Sequence, residues 1–222
     1  MNLPAQLFPS DLLWLANFLF AALLGKALWR ARFSALLDNQ WRVHALIGLT
    51  IWVFLFWQLS AGVRPGFNFH LIGATLLMLL FGRHVAIVLL SLVMIATFWR
   101  NGFDYLSLGL NGLVMIALPV YFSEQVLHFT QRNLPKNLFM FVLGNGFVCG
   151  GVSMLLIVLT GSFLLAAFTH YTWDNVLNNY LVFSPIIILV EAFTCGILTT
   201  AFTVFAPQCV LHFSDKEYLH GK

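Results

Sequence analysis

The stretch GFNFHLIGATLLMLLFG, residues 66–82, decides how the chain is read. Its polar groups, Asn68 and His70, stand at its N-terminal end, and an apolar run then continues past Gly73 to Phe81-Gly82. Coiled as a helix at about 1.5 Å per residue, residues 69–81 reach only about 20 Å, short of a hydrocarbon core about 30 Å thick. The segment therefore starts below one membrane surface or is extended by non-helical backbone. Either way His70 lies near the outer mouth of a helix bundle. Gly73, one turn on, lets another backbone come close. On the residues alone His70 reads equally as an interfacial histidine at a helix start.

Composition sets the class. The 222 residues are 60% apolar and 9% charged, where a soluble domain is about 25% charged. This describes an all-α, polytopic membrane helix bundle forming one integral membrane domain, residues 1–222. A net charge of +3 gives no footing for nucleic acid, so the surrounding medium is membrane lipid. Cys149, Cys195 and Cys209 form no Cys-x-x-Cys pair, which leaves packing as their role. Residues 1–10 carry no Lys or Arg, unlike the positive start of a signal peptide, and they read as an N-terminal head.

Seven apolar segments follow the head, at about 11–29, 45–63, 69–82, 84–99, 105–122, 138–160 and 185–206. The sixth is ambiguous, because the apolar run from residue 138 continues to residue 168. Gly161-Ser162 is expected to break it and leave 163–180 as an interfacial or loop piece. Gly146 and Gly150, four apart, allow close helix contact. Orientation follows from basic residues in the loops. With the N-terminus outside, Lys26, Arg30, Arg32, Arg42, Arg83, Arg132, Lys136, Lys216 and Lys222 face the cytoplasm, and only Arg64 and Arg100 face out. The expectation is seven spans in the cell's inner (plasma) membrane, N-terminus outside and C-terminus inside.

Few residues carry chemistry. Glu191 lies inside the seventh segment, where an ionisable group is costly unless paired and is a functional candidate. Asn111 and Met115 share a helical face in the fifth; Asn111 needs a partner in the bundle, and Met115 fills core. His44, His84, His128, His212 and His220 fall near cytoplasmic ends. His170 stands with Tyr171, Trp173 and Asp174 in an outer loop, as part of a lid or of an aromatic interface belt. No His-Glu-x-x-His, no Gly-x-x-x-x-Gly-Lys and no Gly-x-Ser-x-Gly occurs, so zinc peptidase, P-loop and serine hydrolase chemistry are absent. The chain is read as not an enzyme. If ATP drives it, another subunit hydrolyses the ATP.

Four places give the chain a family likeness: Met1-Asn2-Leu3-Pro4 with Pro9; His70 with Gly73 and Phe81-Gly82; Gly109-Leu110-Asn111 with Met115 and Pro119; and residues 185–199 with Glu191-Ala192-Phe193. Together they resemble the substrate-binding membrane subunit of energy-coupling-factor ABC importers, the CbiM/NikM type that handles cobalt and nickel. The resemblance implies a six-helix binding bundle with one added helix and an N-terminus that dips into an outward-facing site. It implies no permanently bound cofactor and a divalent transition metal ion as substrate. The metal ligands it implies are Met1 through its amine, Asn2 and His70; beside them Asn68, Asn111 and Glu191 are read from the sequence as candidate secondary donors. Its implied partners are a coupling transmembrane subunit and separate ATPase subunits. Position two departs from the pattern: the family's histidine is here Asn2, whose amide is a weaker ligand for Ni²⁺ or Co²⁺ than an imidazole. Two alternatives stand beside this expectation, an accessory membrane protein of the same fold that has lost metal binding, and a proton-coupled carrier using Glu191.

Overall fold

A computed structural model of the chain describes residues 2–31, 33, 36, 38–100, 102, 104–214 and 218. In chain order its elements are helix α1 (Ser10–Arg30), helix α2 (Gln40–Gln58), strands β1 (Ala61–Arg64) and β2 (Phe67–Phe69), helices α3 (Ala74–Phe81), α4 (Arg83–Arg100), α5 (Tyr105–Asn133), α6 (Met140–Phe168) and α7 (Trp173–Asn179), and helix α8 (Ser184–Phe205). Among the described residues five helices are long and apolar enough to cross a membrane: α1, α4, α5, α6, and the stretch Trp173–Phe205 that carries α7 and α8. α2 has spanning length but opens on Gln40, Trp41 and Arg42, with Asn39 Oδ1 accepting the Trp41 N–H as its cap. The chain is an all-α, multi-pass membrane bundle with one small hairpin. α1 shows why lipid is its solvent. It buries Leu13, Ala16, Phe20 and Ala27 and exposes Trp14, Leu15, Phe18 and Leu19.

α3 is the axis. Its sequence ATLLMLLF is apolar all round, and all eight residues are buried, as a helix enclosed on every side requires. It spans only about 12 Å. Of the two readings of the 66–82 stretch, non-helical extension is the one found. Residues 67–69 are strand, residues 70–73 are irregular, and helix begins at Ala74. The short helix packs against α4, α5, α6 and α8. Its single polar side chain, Thr75, exchanges hydrogen bonds with Ser123 Oγ on α5 at 2.8 Å and Ser153 Oγ on α6 at 2.9 Å. Each hydroxyl thereby finds a partner where no water is at hand.

Three expected boundaries are corrected. The second segment does not run to residue 63: α2 stops at Gln58, and 61–69 form an antiparallel hairpin pairing Ala61 with Phe69 and Gly62 with Asn68. Pro65-Gly66 makes its turn, with Gly66 at φ +86°, the positive φ that the third position of such a turn demands. Gly161-Ser162 does not break the sixth segment. Both residues are buried within α6, which continues to Phe168, because backbone inside a membrane must keep its hydrogen bonds. The fifth segment extends to Asn133. Within it Gly112–Ala117 widens into a π-type turn, and the Leu118 N–H reaches the Leu113 carbonyl five residues back. The next residue, Pro119, lacks an N–H and crowds the carbonyl four residues earlier, and the wide turn absorbs both.

Helix seams close on small residues. A Cβ at Gly150 of α6 would stand 2.8 Å from the Cys195 Cβ of α8. At Gly109 of α5 it would stand 2.3 Å from the Asn17 backbone of α1, whose side-chain Oδ1 accepts the Gly109 N–H at 2.9 Å. Gly48, by contrast, faces open space. Gly109→Val is expected to cost about 1–3 kcal/mol through overpacking, lowering the thermal midpoint in detergent, whereas Gly48→Ala leaves the midpoint unchanged or raises it. Equal midpoints for both variants would contradict the α1–α5 contact.

Candidate functional site

The site is built on the irregular backbone of residues 70–73. Because α3 starts inside the bundle, the amides ahead of it need partners there. Glu191, 2% exposed on α8, supplies them. Its Oε2 accepts the Ile72 N–H and its Oε1 the Gly73 N–H, each at 2.8 Å. Gly73, the N-cap of α3, takes the left-handed conformation (φ 73°, ψ 12°), which a residue with a Cβ adopts at a cost. The Trp57 indole N–H reaches the Ile72 carbonyl at 3.3 Å from α2. Three groups thus fix the two residues that follow His70 and Leu71.

His70 is 6% exposed. Its ring lies against Trp57, with centroids 4.7 Å apart, and its Nδ1 meets the Leu71 carbonyl at 3.1 Å. A carbonyl only accepts, so Nδ1 carries a proton and Nε2 is the nitrogen with ligand character. Second-partner bonds of this kind orient metal-binding imidazoles.

The N-terminal segment is drawn to the same region by side chains that grip its backbone. The Asn2 N–H donates to Asn68 Oδ1 on β2 at 2.7 Å. The Leu3 N–H donates to Asn111 Oδ1 at 2.8 Å, and Asn111 Nδ2 returns a bond to the Leu3 carbonyl at 2.9 Å. The Ala5 N–H donates to Asp104 Oδ2 at 2.8 Å. Leu3 itself is fully buried. The Asn2 side-chain Oδ1 is buried and has no hydrogen-bond partner among the described residues. A buried amide oxygen left bare costs about 1–3 kcal/mol, and it points to a group that completes it.

An aromatic clamp holds the hairpin from outside. Tyr180, fully buried, stacks on Phe69 with centroids 4.4 Å apart and planes 4° apart, while Tyr171 packs on Phe67 and donates its hydroxyl to the Pro65 carbonyl. Of the outer cluster around His170, Tyr171 packs on the hairpin, and His170 remains exposed. Beside His70 opens an apolar cavity of about 470 Å³, bounded by Phe56, Phe69, Phe183 and Ile187.

Asn2, Asn68, Asn111, His70 and Glu191 are thus joined in one region, and Met1 lies outside the described residues. Asn68, Asn111 and Glu191, the expected secondary donors, have oxygens occupied by backbone amides. Among the described residues no group of three or more His, Cys, Asp or Glu stands ready to hold a metal. Asp104, Trp57 and Tyr180 were not singled out in the sequence. Asp104 had a readable signal as an acid in a chain with only eight. The aromatics had none, because 23 Phe, 7 Trp and 5 Tyr are spread along the chain.

A buried histidine and an N-terminal segment threaded into one end of the bundle stand in an apolar, multi-pass membrane scaffold. Residues 2–209 match the family model described as CbiM, cobalt uptake substrate-specific transmembrane region, and the chain belongs to this family. It is a transport subunit of the energy-coupling-factor class, not an enzyme. No curated protein matches it in sequence. Two solved structures share its fold. A truncated transition metal transporter aligns with TM-score 0.73 and 16% identity, over 92% of this chain and 99% of the other. A second transition metal transporter aligns with TM-score 0.72 and 18% identity, over 96% of each.

Glu191→Gln replaces one accepting oxygen with a donor facing an N–H. The lost bond and the clash are expected to cost about 1–3 kcal/mol and to expose the 70–73 amides to hydrogen exchange. Unchanged protection of the Ile72 and Gly73 amides would contradict the cap.

Proposed function

We propose that the chain is the substrate-capturing membrane subunit of an energy-coupling-factor importer, and that its cargo is a divalent transition metal ion. The donors are the Met1 amine, Asn2 Oδ1 and His70 Nε2. The observation that carries this reading is the buried Asn2 Oδ1, without a hydrogen-bond partner among the described residues, on a segment whose backbone is gripped by Asn111 and by Asn68, two residues before His70. Family membership supports the transport role, and the names of the two structural relatives support the class of cargo.

The donor set differs from an all-nitrogen one. The Asn2 amide N–H is engaged by an acceptor at 2.7 Å and stays protonated, which removes it as a deprotonated ligand. One oxygen and two nitrogens remain, with open positions for water. Such a set suits Co²⁺ in a tetrahedral or octahedral field, and gives up the four-nitrogen plane that favours Ni²⁺.

We place the N-terminus outside and the C-terminus inside, with seven membrane segments. Arg64 stands in the hairpin beside the site, and Arg100 donates to Gln58 at the matching end of α2. Arg30, Arg42 and Arg83 gather around one cavity at the other end, the distribution that the positive-inside rule describes. The partners in this reading are a coupling membrane subunit and separate ATPases. The chain lacks a phosphate-cradling loop of its own, and Ala21 and Gly25, both exposed and four apart on α1, offer a small-residue face for a partner helix.

Calorimetry of the purified protein in detergent tests the site. Wild type is expected to bind Co²⁺, and His70→Ala or a residue added before Met1 to lower affinity at least tenfold, about 1.4 kcal/mol. Asn2→His is expected to gain at least tenfold for Ni²⁺ and to acquire the absorption of square-planar nickel. No heat with any first-row divalent ion, in either wild type or Asn2→His, would leave the accessory-protein alternative standing.

A further inference from the structure

At the end of α3 opposite His70 a cavity of about 730 Å³ opens beneath Phe81 and Gly82. Its rim carries Arg30 from the end of α1, Arg42 from the start of α2, and Arg83 and His84 from the first turn of α4. The described residues lining it include no carboxylate. Among the described residues, Arg83 is the one of these three arginines with a carboxylate partner. It pairs with Glu124 of α5 at 2.8 Å and lies over the Tyr121 ring. The other two keep their charge. Arg42 donates Nε to the neutral Gln208 carbonyl at 2.7 Å, and Arg30 makes no hydrogen bond or ion pair with a described residue. Two guanidinium groups facing one space repel each other unless an anion joins them.

The shape of the cavity says which anion. Its basic rim meets apolar walls, Leu36, Phe81, Val85 and Leu211. It opens beside Trp29, 85% exposed at the end of α1 next to Leu28, 53% exposed. An indole at a helix end marks the level of lipid headgroups. The space is therefore polar where a headgroup lies and continuous with an apolar surface where acyl chains lie. It does not suit a divalent cation in transit, which the same guanidinium groups repel.

We infer that this cavity is a binding site for the phosphodiester of an anionic phospholipid, with Arg30 and Arg42 as its principal cations. Arg forks match phosphate oxygens in pairs, and basic pockets between helices on the cytoplasmic side are where such headgroups dock. The site is independent of the metal reading and would exist in a chain that had lost its cargo.

Native mass spectrometry after reconstitution in bilayers of phosphatidylcholine with phosphatidylglycerol tests it. Wild type is expected to retain phosphatidylglycerol at least fivefold over its share of the bilayer. Arg30→Gln with Arg42→Gln abolishes the enrichment, and Arg30→Lys with Arg42→Lys keeps most of it. The pair Arg64→Gln and Arg100→Gln, at the other end of the bundle, leaves the enrichment intact. Thermal midpoints in neutral detergent identify any variant that fails to fold, and the Lys pair then decides. Equal enrichment in wild type and the Gln pair overturns the proposal. So does full displacement of the lipid by millimolar inorganic phosphate, which would make this a site for a free anion, and so does no enrichment in wild type, which would leave the charges to an acidic protein partner.

Discussion

The two hydrogen bonds that the Ile72 and Gly73 amides donate to Glu191 are the constraint on which the site depends. A helix that begins in the middle of a membrane bundle leaves its leading amides without water and without intrahelical partners. One carboxylate from α8 satisfies two of them. The cost of burying Glu191 is offset only because both of its oxygens are used. This bond spans 118 and 119 residues of chain, so the loop that orients His70 takes its shape only once the last long helix has docked. Gly73 completes the device, since its positive φ turns the chain from strand direction into α3. A carboxylate spent in this way is structural, which weighs against a proton-coupled carrier built on Glu191.

The N-terminal segment is held by the same means with neutral and acidic side chains. Asn68, Asn111 and Asp104 all bond to backbone atoms of residues 2, 3 and 5. None of these bonds reads the side chain at position two. The scaffold therefore tolerates an exchange there, and position two can set the chemistry of the site without altering the fold. That is why the start of the chain threads into the bundle without any help from the Asn2 side chain.

Composition and segment length made the membrane bundle legible, and they made the oddity of residues 66–82 legible too. Thirteen apolar residues do not span, and the structure resolves this with a hairpin ahead of an eight-residue helix. Pro65-Gly66 carried the turn signal, but the apolar residues before it read as a continuing helix. Gly161-Ser162 misled for the opposite reason: in water the pair would weaken a helix, whereas in lipid the backbone has no better partner than its own next turn. The pairing of Glu191 with residues 72 and 73 was not legible. A lone acid in an apolar helix announces that it needs a partner, and nothing in a linear sequence says that the partner is backbone more than a hundred residues away. The same holds for Asn68 and Asn111, whose bonds to the backbone of residues 2 and 3 reach across 66 and 108 residues of chain.

The packing of α3 bears on how a captured ion leaves. Between His70 and the basic cavity lies one helix with all eight residues buried and Thr75 as its only polar side chain, already bonded to Ser123 and Ser153. An ion crossing this plug would shed its ligands for aliphatic carbon, at a cost no hydroxyl triad repays, and would emerge facing Arg30, Arg42 and Arg83. A divalent cation gains nothing along that route. Under the proposed function, the course that would keep the ion coordinated is one that leaves α3 intact and opens the aromatic packing over the hairpin. Glu191 ties the site loop directly to α8, so a displacement of that helix is felt at residues 72 and 73.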